Sequence, residues 1–230
     1  MMPWKLLDSA QVPESGEELR LYQRGGEFSI RVDSRELMNS RVHGSEGALA
    51  ELACVRIAHR PCPRVLIGGL GMGYTTAAAL HRLGADGQVV VAELVPAVVA
   101  WNRGPLADLA GRPLHDARVT VREADVARIL QAEQGAYDAI LLDVDNGPAG
   151  LTWKGNDWLY ARAGLDAAYA ALRAAGVLAV WSAGPDRAFA KRLGRAGFEV
   201  TEVCVRARGP RGGRPTHNLA RRPQRSIVKD

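Results

Sequence analysis

The chain has 230 residues, which is enough for one domain with a small addition. Hydrophobic residues make up 47% of it and charged residues 24%, a balance typical of soluble proteins, and no apolar run reaches the ~18 residues that cross a bilayer. The formal net charge of +5 is concentrated in the arginines from Arg206 onward, so the rest of the chain is close to neutral.

Three widely spaced cysteines, Cys54, Cys62 and Cys204, suggest neither a disulfide framework nor a zinc site. We interpret all three as packing residues. The N-terminus lacks the apolar stretch of a signal peptide, and together these features favour a cytoplasmic protein.

The first part of the chain predicts a small β appendage over residues 1–42. Residues 1–17 show no hydrophobic period, so we expect them to be loose. Residues 18–24 and 27–33 alternate and are separated by two glycines, a pattern typical of a β-hairpin. Residues 35–39 are a candidate third strand.

The main domain is predicted over residues 43–222, followed by a basic tail at 223–230. Residues 43–59 carry apolar side chains at helical spacing, and strands then alternate with helices, which predicts a doubly wound, mostly parallel Rossmann-like sheet. The last two strands, with no helix between them, should pair antiparallel. Strands are predicted at 64–68, 88–93, 117–122, 137–143, 177–182, 198–206 and 215–221, and helices at 74–83, 96–110, 125–133, 158–174 and 186–196.

A glycine-rich turn joins the first of these strands to its helix. Gly69, Gly71 and Gly73 let the backbone turn sharply and let a ligand approach where a Cβ would collide. The spacing Gly-x-Gly-x-Gly departs from the dinucleotide fingerprint Gly-x-Gly-x-x-Gly, so NAD is disfavoured. It looks like the S-adenosylmethionine loop of class I methyltransferases.

Two acidic residues follow at positions that suit a nucleoside. Glu93 ends the next strand, twenty residues after Gly73, where a carboxylate can accept hydrogen bonds from ribose hydroxyls. Asp125 follows the third strand, where it can accept from an adenine amino group or cap the next helix.

The best catalytic candidates lie directly beyond the apolar strand 137–143. Asp143, Asp145 and Asn146 would lie beside the sulfonium end of the cofactor, where a carboxylate can hold an amine or take its proton. Like charges this close should raise one pKa. The alternative is an Asx-rich turn with solvated acids.

Three further residues are candidates for the substrate pocket. His43 and Glu46 stand at the start of the helix 43–59, and Trp153 lies in a glycine-rich loop suited to act as a lid. The sequence shows no metal-ligand spacing and no Ser-His-Asp order.

From Leu19 to Ala220 these features resemble the spermidine synthase-like proteins of the class I S-adenosylmethionine-dependent transferase superfamily. The resemblance implies a seven-stranded sheet and often a homodimer. It also implies that Gly69 and Gly71 line the cofactor, that Glu93 binds ribose and that Asp125 binds adenine.

The sequence indicates the reaction less clearly than it indicates the cofactor. Glu46 and Glu51 match glutamates of the aminopropyltransferases, but the aspartate, tyrosine and histidine that would hold a diamine are absent. The sequence therefore predicts a methyltransferase that uses S-adenosylmethionine on a small-molecule acceptor. The first alternative is an aminopropyltransferase that uses decarboxylated S-adenosylmethionine. The second is a non-catalytic nucleotide- or RNA-binding module, although nucleic acid is disfavoured because no aromatic residue is interleaved with the C-terminal arginines.

Overall fold

The structure is a computed structural model that describes residues 2–13, 15–33, 35–144, 157–204 and 216–224. Within these residues two sheets and several helices form the fold. The strands are β1 (Lys5–Gln11), β2 (Glu18–Arg24), β3 (Glu27–Val32), β4 (Arg35–Asn39), β5 (Arg64–Gly68), β6 (Gln88–Glu93), β7 (Val119–Glu123), β8 (Tyr137–Leu142), β9 (Leu172–Ser182), β10 (Glu199–Cys204) and β11 (Thr216–Arg221). The helices are α1 (Gly44–Cys54), α2 (Tyr74–Arg82), α3 (Pro96–Arg103), α4 (Val126–Ala132), α5 (Asp157–Tyr160), α6 (Arg162–Ala171) and α7 (Arg187–Arg195).

The large sheet has seven strands in the order β10-β11-β9-β8-β5-β6-β7. The pairs among β5 to β9 are parallel, and β11 runs antiparallel to both of its neighbours, β9 and β10. The predicted doubly wound sheet with an antiparallel last strand is therefore confirmed. Among the described residues no helix is long and apolar enough to cross a membrane.

Both faces of the large sheet are covered, which explains why its central strands are apolar throughout. In β5, Val65 and Ile67 pack toward α1, α2 and α3, while Leu66 packs toward α4, α6 and α7. Every residue of β8 is buried. The carboxyl ends of β5, β6, β7 and β8 lie side by side, and loops from these ends build the candidate site.

The N-terminal residues form an antiparallel four-stranded sheet in the order β1-β2-β3-β4. The predicted hairpin and third strand are confirmed, and the sheet's buried side chains join the core on the α1 face. The expectation that residues 1–17 are loose was wrong, because β1 pairs with β2 along its length. The division at residues 42 and 222 stays a prediction.

Three predicted helices are shorter than expected. The helix predicted at 43–59 ends at Cys54. The helix predicted at 96–110 ends at Arg103, before Gly104 and Pro105, and a short 3-10 turn follows. The helix predicted at 158–174 ends at Ala171, because Leu172 pairs with Tyr137 and begins β9. The interpretation of the cysteines holds only for Cys54, which is buried. Cys62 and Cys204 are exposed.

Candidate active site

The glycine loop between β5 and α2 has the backbone that its sequence predicts. Gly69, Gly71 and Gly73 have φ angles of 89°, 53° and 82°, in the left-handed region that favours glycine. A Cβ on Gly69 would lie 2.5 Å from the carbonyl oxygen of Asp143. The loop therefore packs directly against the chain that leaves β8. Gly69 and Gly71 line a cavity, whereas Gly73 is the N-cap residue of α2.

Glu93 fixes this loop from the end of β6. Its Oε2 accepts a hydrogen bond from the backbone N–H of Leu70 at 2.9 Å, and its Oε1 accepts one from Val95 at 2.9 Å. The predicted contact of Glu93 with a ribose hydroxyl stays a prediction. Asn102 supports the loop from α3, because its Nδ2 donates to the carbonyl of Gly71 at 2.8 Å.

Asp125 lies at the end of β7 and caps α4. Its Oδ1 accepts from the backbone N–H of Ala127 at 2.8 Å. The capping role expected of Asp125 is therefore confirmed, and the residue also lines the cavity. Its contact with an adenine stays a prediction.

Asp143 lies beyond the central strand β8, beside the glycine loop. Its Oδ2 accepts from the hydroxyl of Thr75 at 2.5 Å, and its side chain lines the cavity. Burial is the main cause that raises the pKa of Asp143 to about 7; the hydrogen bond from Thr75 opposes the shift and the Glu46 carboxylate adds to it. A carboxyl group with such a pKa can take or give a proton near neutral pH.

These elements enclose a cavity of about 250 Å³ between the large sheet and the N-terminal sheet. One wall is formed by the glycine loop and the carboxyl ends of β6, β7 and β8. The other is formed by α1 and the N-terminal sheet. The acidic side chains that line it are Glu17, Glu46, Glu93, Asp125 and Asp143.

The described residues predicted for the substrate pocket do not all line the cavity. Glu46 lines the cavity, and its Oε2 accepts from the hydroxyl of Ser45 at 2.7 Å. His43 stacks on Tyr74 with ring centroids 4.1 Å apart, and it is Tyr74 that lines the cavity. The candidates Asp145, Asn146 and Trp153 lie outside the described residues.

Several lining residues were not predicted from the sequence. Thr75 follows the glycine loop and could have been noticed there, since a hydroxyl near a strand-end carboxylate can donate to it. The side chains from the N-terminal sheet had no such signal. The unpredicted lining residues include Glu17, Met38, Tyr74, Thr75 and Trp181.

No family model matches this chain, and no curated protein matches it in sequence. Solved structures match it over nearly its whole length. A spermidine synthase in complex with the transition state analogue AdoDATO has a TM-score of 0.75 and 17% sequence identity over 96% of this chain and 73% of that chain. The spermidine synthase from Thermotoga maritima has a TM-score of 0.76 and 17% identity over 96% of this chain and 74% of that one.

A probable spermidine synthase from Corynebacterium glutamicum ATCC 13032 is also similar, with a TM-score of 0.65 and 13% identity over 95% of this chain and 80% of that chain. At these identities the likeness concerns the fold. The chain therefore has the spermidine synthase-like fold that its glycine loop and strand-end carboxylates predict.

Proposed function

We propose that this chain is a transferase that alkylates an amine with decarboxylated S-adenosylmethionine. The charge of the cavity carries this proposal. Five carboxyl side chains line it and, within the described residues, no lysine, arginine or histidine does. The decarboxylated donor carries a sulfonium and an ammonium but no carboxylate, so its charge complements this lining better than that of S-adenosylmethionine.

The glycine loop adds to this preference because several of its backbone N–H groups already have acceptors. The N–H of Leu70 donates to Glu93, that of Gly69 donates to Ala92 at 2.9 Å, and that of Gly73 donates to Leu70 at 2.9 Å. These groups are therefore not available to the carboxylate of S-adenosylmethionine, which would need donors to replace its water.

The residues fit the donor in the following way. Glu93 and Asp125 offer acceptors for the ribose and the adenine, and Gly69 and Gly71 leave room for them. When bound, the donor supplies an aminopropyl group on a positively charged sulfur that an amine can displace as methylthioadenosine. Asp143 holds the acceptor amine and takes its proton, and its pKa near 7 suits that task.

Methyl transfer from S-adenosylmethionine, the reaction first predicted from the sequence, stays a prediction. Calorimetric titration of the chain with each donor decides between the two. We expect at least tenfold tighter binding of the decarboxylated form, about 1.4 kcal/mol. Equal binding, or tighter binding of S-adenosylmethionine, would contradict the proposal and direct the search to methyl acceptors.

A turnover experiment then tests the reaction itself. The chain is incubated with decarboxylated S-adenosylmethionine and a panel of diamines, and release of methylthioadenosine is measured. Release that depends on the amine is expected. If the donor binds but no amine in the panel yields methylthioadenosine, the chain binds the nucleoside without this chemistry.

A further inference from the structure

Thr75 connects the first turn of α2 to the chain that leaves β8. The residue is only 3% exposed, and its hydroxyl donates a hydrogen bond to Oδ2 of Asp143 at 2.5 Å. A hydrogen bond of this length is typical of a hydroxyl that donates to an ionised carboxylate. The contact therefore favours the charged form of Asp143 and holds one of its two oxygens.

The backbone of Asp143 is fixed at the same place. Its N–H donates to the carbonyl of Gly68 at 3.0 Å, and its own carbonyl oxygen lies 2.5 Å from the position that a Cβ on Gly69 would take. Asp143 is thus held through its backbone by the end of β5 and through Oδ2 by α2. Among the described residues no hydrogen bond reaches Oδ1, so this oxygen has no partner from that part of the protein.

The surroundings of Asp143 otherwise oppose its ionisation. Burial raises its pKa and the Glu46 carboxylate of α1 raises it further, whereas the hydrogen bond from Thr75 lowers it. Of the described groups that act on the pKa of Asp143, the Thr75 hydroxyl is therefore the one that favours the carboxylate. The other titratable side chains that line the cavity are Glu17, Tyr74, Glu93 and Asp125.

The next residue of α2 provides a matched comparison. Thr76 lies in the same turn and is fully buried, but its hydroxyl has no hydrogen-bond partner within the part of the chain that the structure describes. This turn therefore tolerates a buried hydroxyl that has no task. Thr76→Val removes such a hydroxyl without breaking a hydrogen bond, whereas Thr75→Val breaks the one to Asp143.

We propose that Thr75 is a positioning residue that keeps Asp143 oriented and ionised for the acceptor amine. This inference rests on the proposed function, since it assumes that Asp143 takes the proton of an amine. As the nitrogen forms its bond to the carbon of the donor, the bond from that carbon to sulfur breaks and the amine proton passes to Asp143. Thr75 keeps its own proton throughout, because its hydroxyl acts only on the carboxylate.

The first measurement is a ¹³C NMR titration of the Asp143 carboxyl carbon in the full chain without ligand. Its signal is identified by its absence in Asp143→Asn. Thr75→Val keeps the shape of the side chain and removes the donor, so the titration midpoint should move up by about one pH unit. Thr75→Ser keeps the donor and should keep the midpoint, and Thr76→Val should keep it too. If Thr75→Val prevents folding, Thr75→Cys replaces it and should also raise the midpoint, because a thiol is only a weak donor.

The second measurement is the pH dependence of kcat with saturating decarboxylated S-adenosylmethionine and an amine that releases methylthioadenosine. In Thr75→Val the loss of rate at low pH should begin at a higher pH, in step with the NMR midpoint. At pH 7 this should lower kcat by about fivefold, since a smaller fraction of Asp143 is ionised, while the KM for the donor stays the same. Thr75→Ser should restore both the rate and the profile.

Three NMR results would overturn the inference. These are a Thr75→Val midpoint equal to that of the unchanged chain, a Thr75→Ser midpoint raised as far as that of Thr75→Val, and an equal rise in Thr76→Val. The second of these would assign the effect to packing of the threonine methyl group, and the third to a general loosening of the turn.

The two measurements also separate this inference from the reaction. If the midpoint moves only in Thr75→Val but no amine yields methylthioadenosine, then aminopropyl transfer fails as the function and the hold of Thr75 on Asp143 stands. If methylthioadenosine forms with the same pH profile in Thr75→Val as in the unchanged chain, then the reaction stands and the role of Thr75 fails.

Discussion

In the proposed function, the side chain of Asp143 combines a cost in stability with a catalytic role. Its pKa is raised to about 7 from 3.8, mainly by burial, so the folded protein holds this proton more tightly than the unfolded chain does. Stability from this group is therefore fully present below about pH 4 and is lost as the pH rises through about 7. At neutral pH and above, the ionised group favours a bound cation and destabilises the empty protein.

We expect Asp143→Asn to raise the stability of the empty protein at pH 8 while it removes activity. The neutral amide avoids burying a charge, and a gain of about 1–3 kcal/mol is expected after relaxation of the cavity. Chemical denaturation at pH 5 and pH 8 measures the gain, which should be larger at pH 8. The contrasting variant is Asp138→Asn, which weakens the ion pairs of the buried Asp138 carboxylate with Arg60 and Arg173 and should lose stability.

The rate of amine alkylation should fall as the pH drops below about 7. Protonated Asp143 cannot accept a proton from the amine, so the loss should follow the titration of this group. The measurement is the pH dependence of kcat with saturating donor. In Asp143→Asn the rate should be lower by about 10²-fold or more. A pH profile that keeps its shape in that variant would show that another group controls it.

At the scale of the element, the turn from β5 to α2 uses its glycines for different reasons. All three have positive φ, but their surroundings differ. A Cβ on Gly69 meets a backbone oxygen at 2.5 Å, whereas a Cβ on Gly71 meets the methyl group of Met38 at 2.8 Å. The Met38 side chain is flexible and can move, and a backbone oxygen at the end of a central strand cannot.

We therefore expect Gly69→Ala to be more destabilising than Gly71→Ala. The left-handed backbone alone costs about 1–2 kcal/mol, and the clash at Gly69 adds to it. Gly111→Ala is the matched control, because Gly111 has φ of 73° and nothing within 4 Å of its Cβ position. Denaturation should show a much larger loss of stability for Gly69→Ala than for Gly71→Ala or Gly111→Ala. Equal losses would mean that the loop moves away from Asp143.

Some elements could be predicted because their signals are local. The glycine spacing, the terminal carboxylate Glu93 and the capping Asp125 are each read from a few neighbouring residues. β1 had no such signal, because a bulge between Leu6 and Asp8 interrupts the alternation, and the partly buried Leu7 and Ala10 are three residues apart. The start of β9 was missed because its alanine-rich sequence favours helix, and pairing with β8 overrides that preference.

At the scale of the whole molecule, a partly buried hydrogen bond joins α3 to the N-terminal sheet. The indole Nε1 of Trp101, on α3, donates to Oδ2 of Asp8, on β1, at 2.7 Å. Trp101 is buried, so this contact fixes the N-terminal sheet against the domain that carries the glycine loop. The cavity wall that includes Glu17 begins directly after this strand.

Removing the acceptor for this bond should loosen the N-terminal sheet. Asp8→Ala leaves the buried indole N–H without a partner, at a cost of about 1–3 kcal/mol. Asp8→Asn keeps a carbonyl oxygen and should cost less. Hydrogen exchange should rise over β1 and β2 in Asp8→Ala, with little change in β8. Unchanged exchange in β1 would show that other contacts hold the sheet in place.

Of the site, only the part at the carboxyl ends of the parallel strands could be predicted from the sequence. Residues at the carboxyl ends of parallel strands converge by the rule of the fold, so Glu93, Asp125 and Asp143 could be grouped from the sequence. Glu17 and Met38 reach the same cavity from a different sheet. Their approach depends on how two sheets dock, which no spacing along the chain encodes.

Because the cavity lies between the two sheets, a molecule that fills it contacts both of them and holds them together. Such a molecule binds the folded protein and not the unfolded chain. Each tenfold increase in its concentration above its dissociation constant therefore adds about 1.4 kcal/mol to the free energy of unfolding. The melting temperature thus reports occupancy without any knowledge of the reaction. A library of amines can then be screened in the presence of the donor. The acceptor would be identified as the amine that raises the melting temperature most.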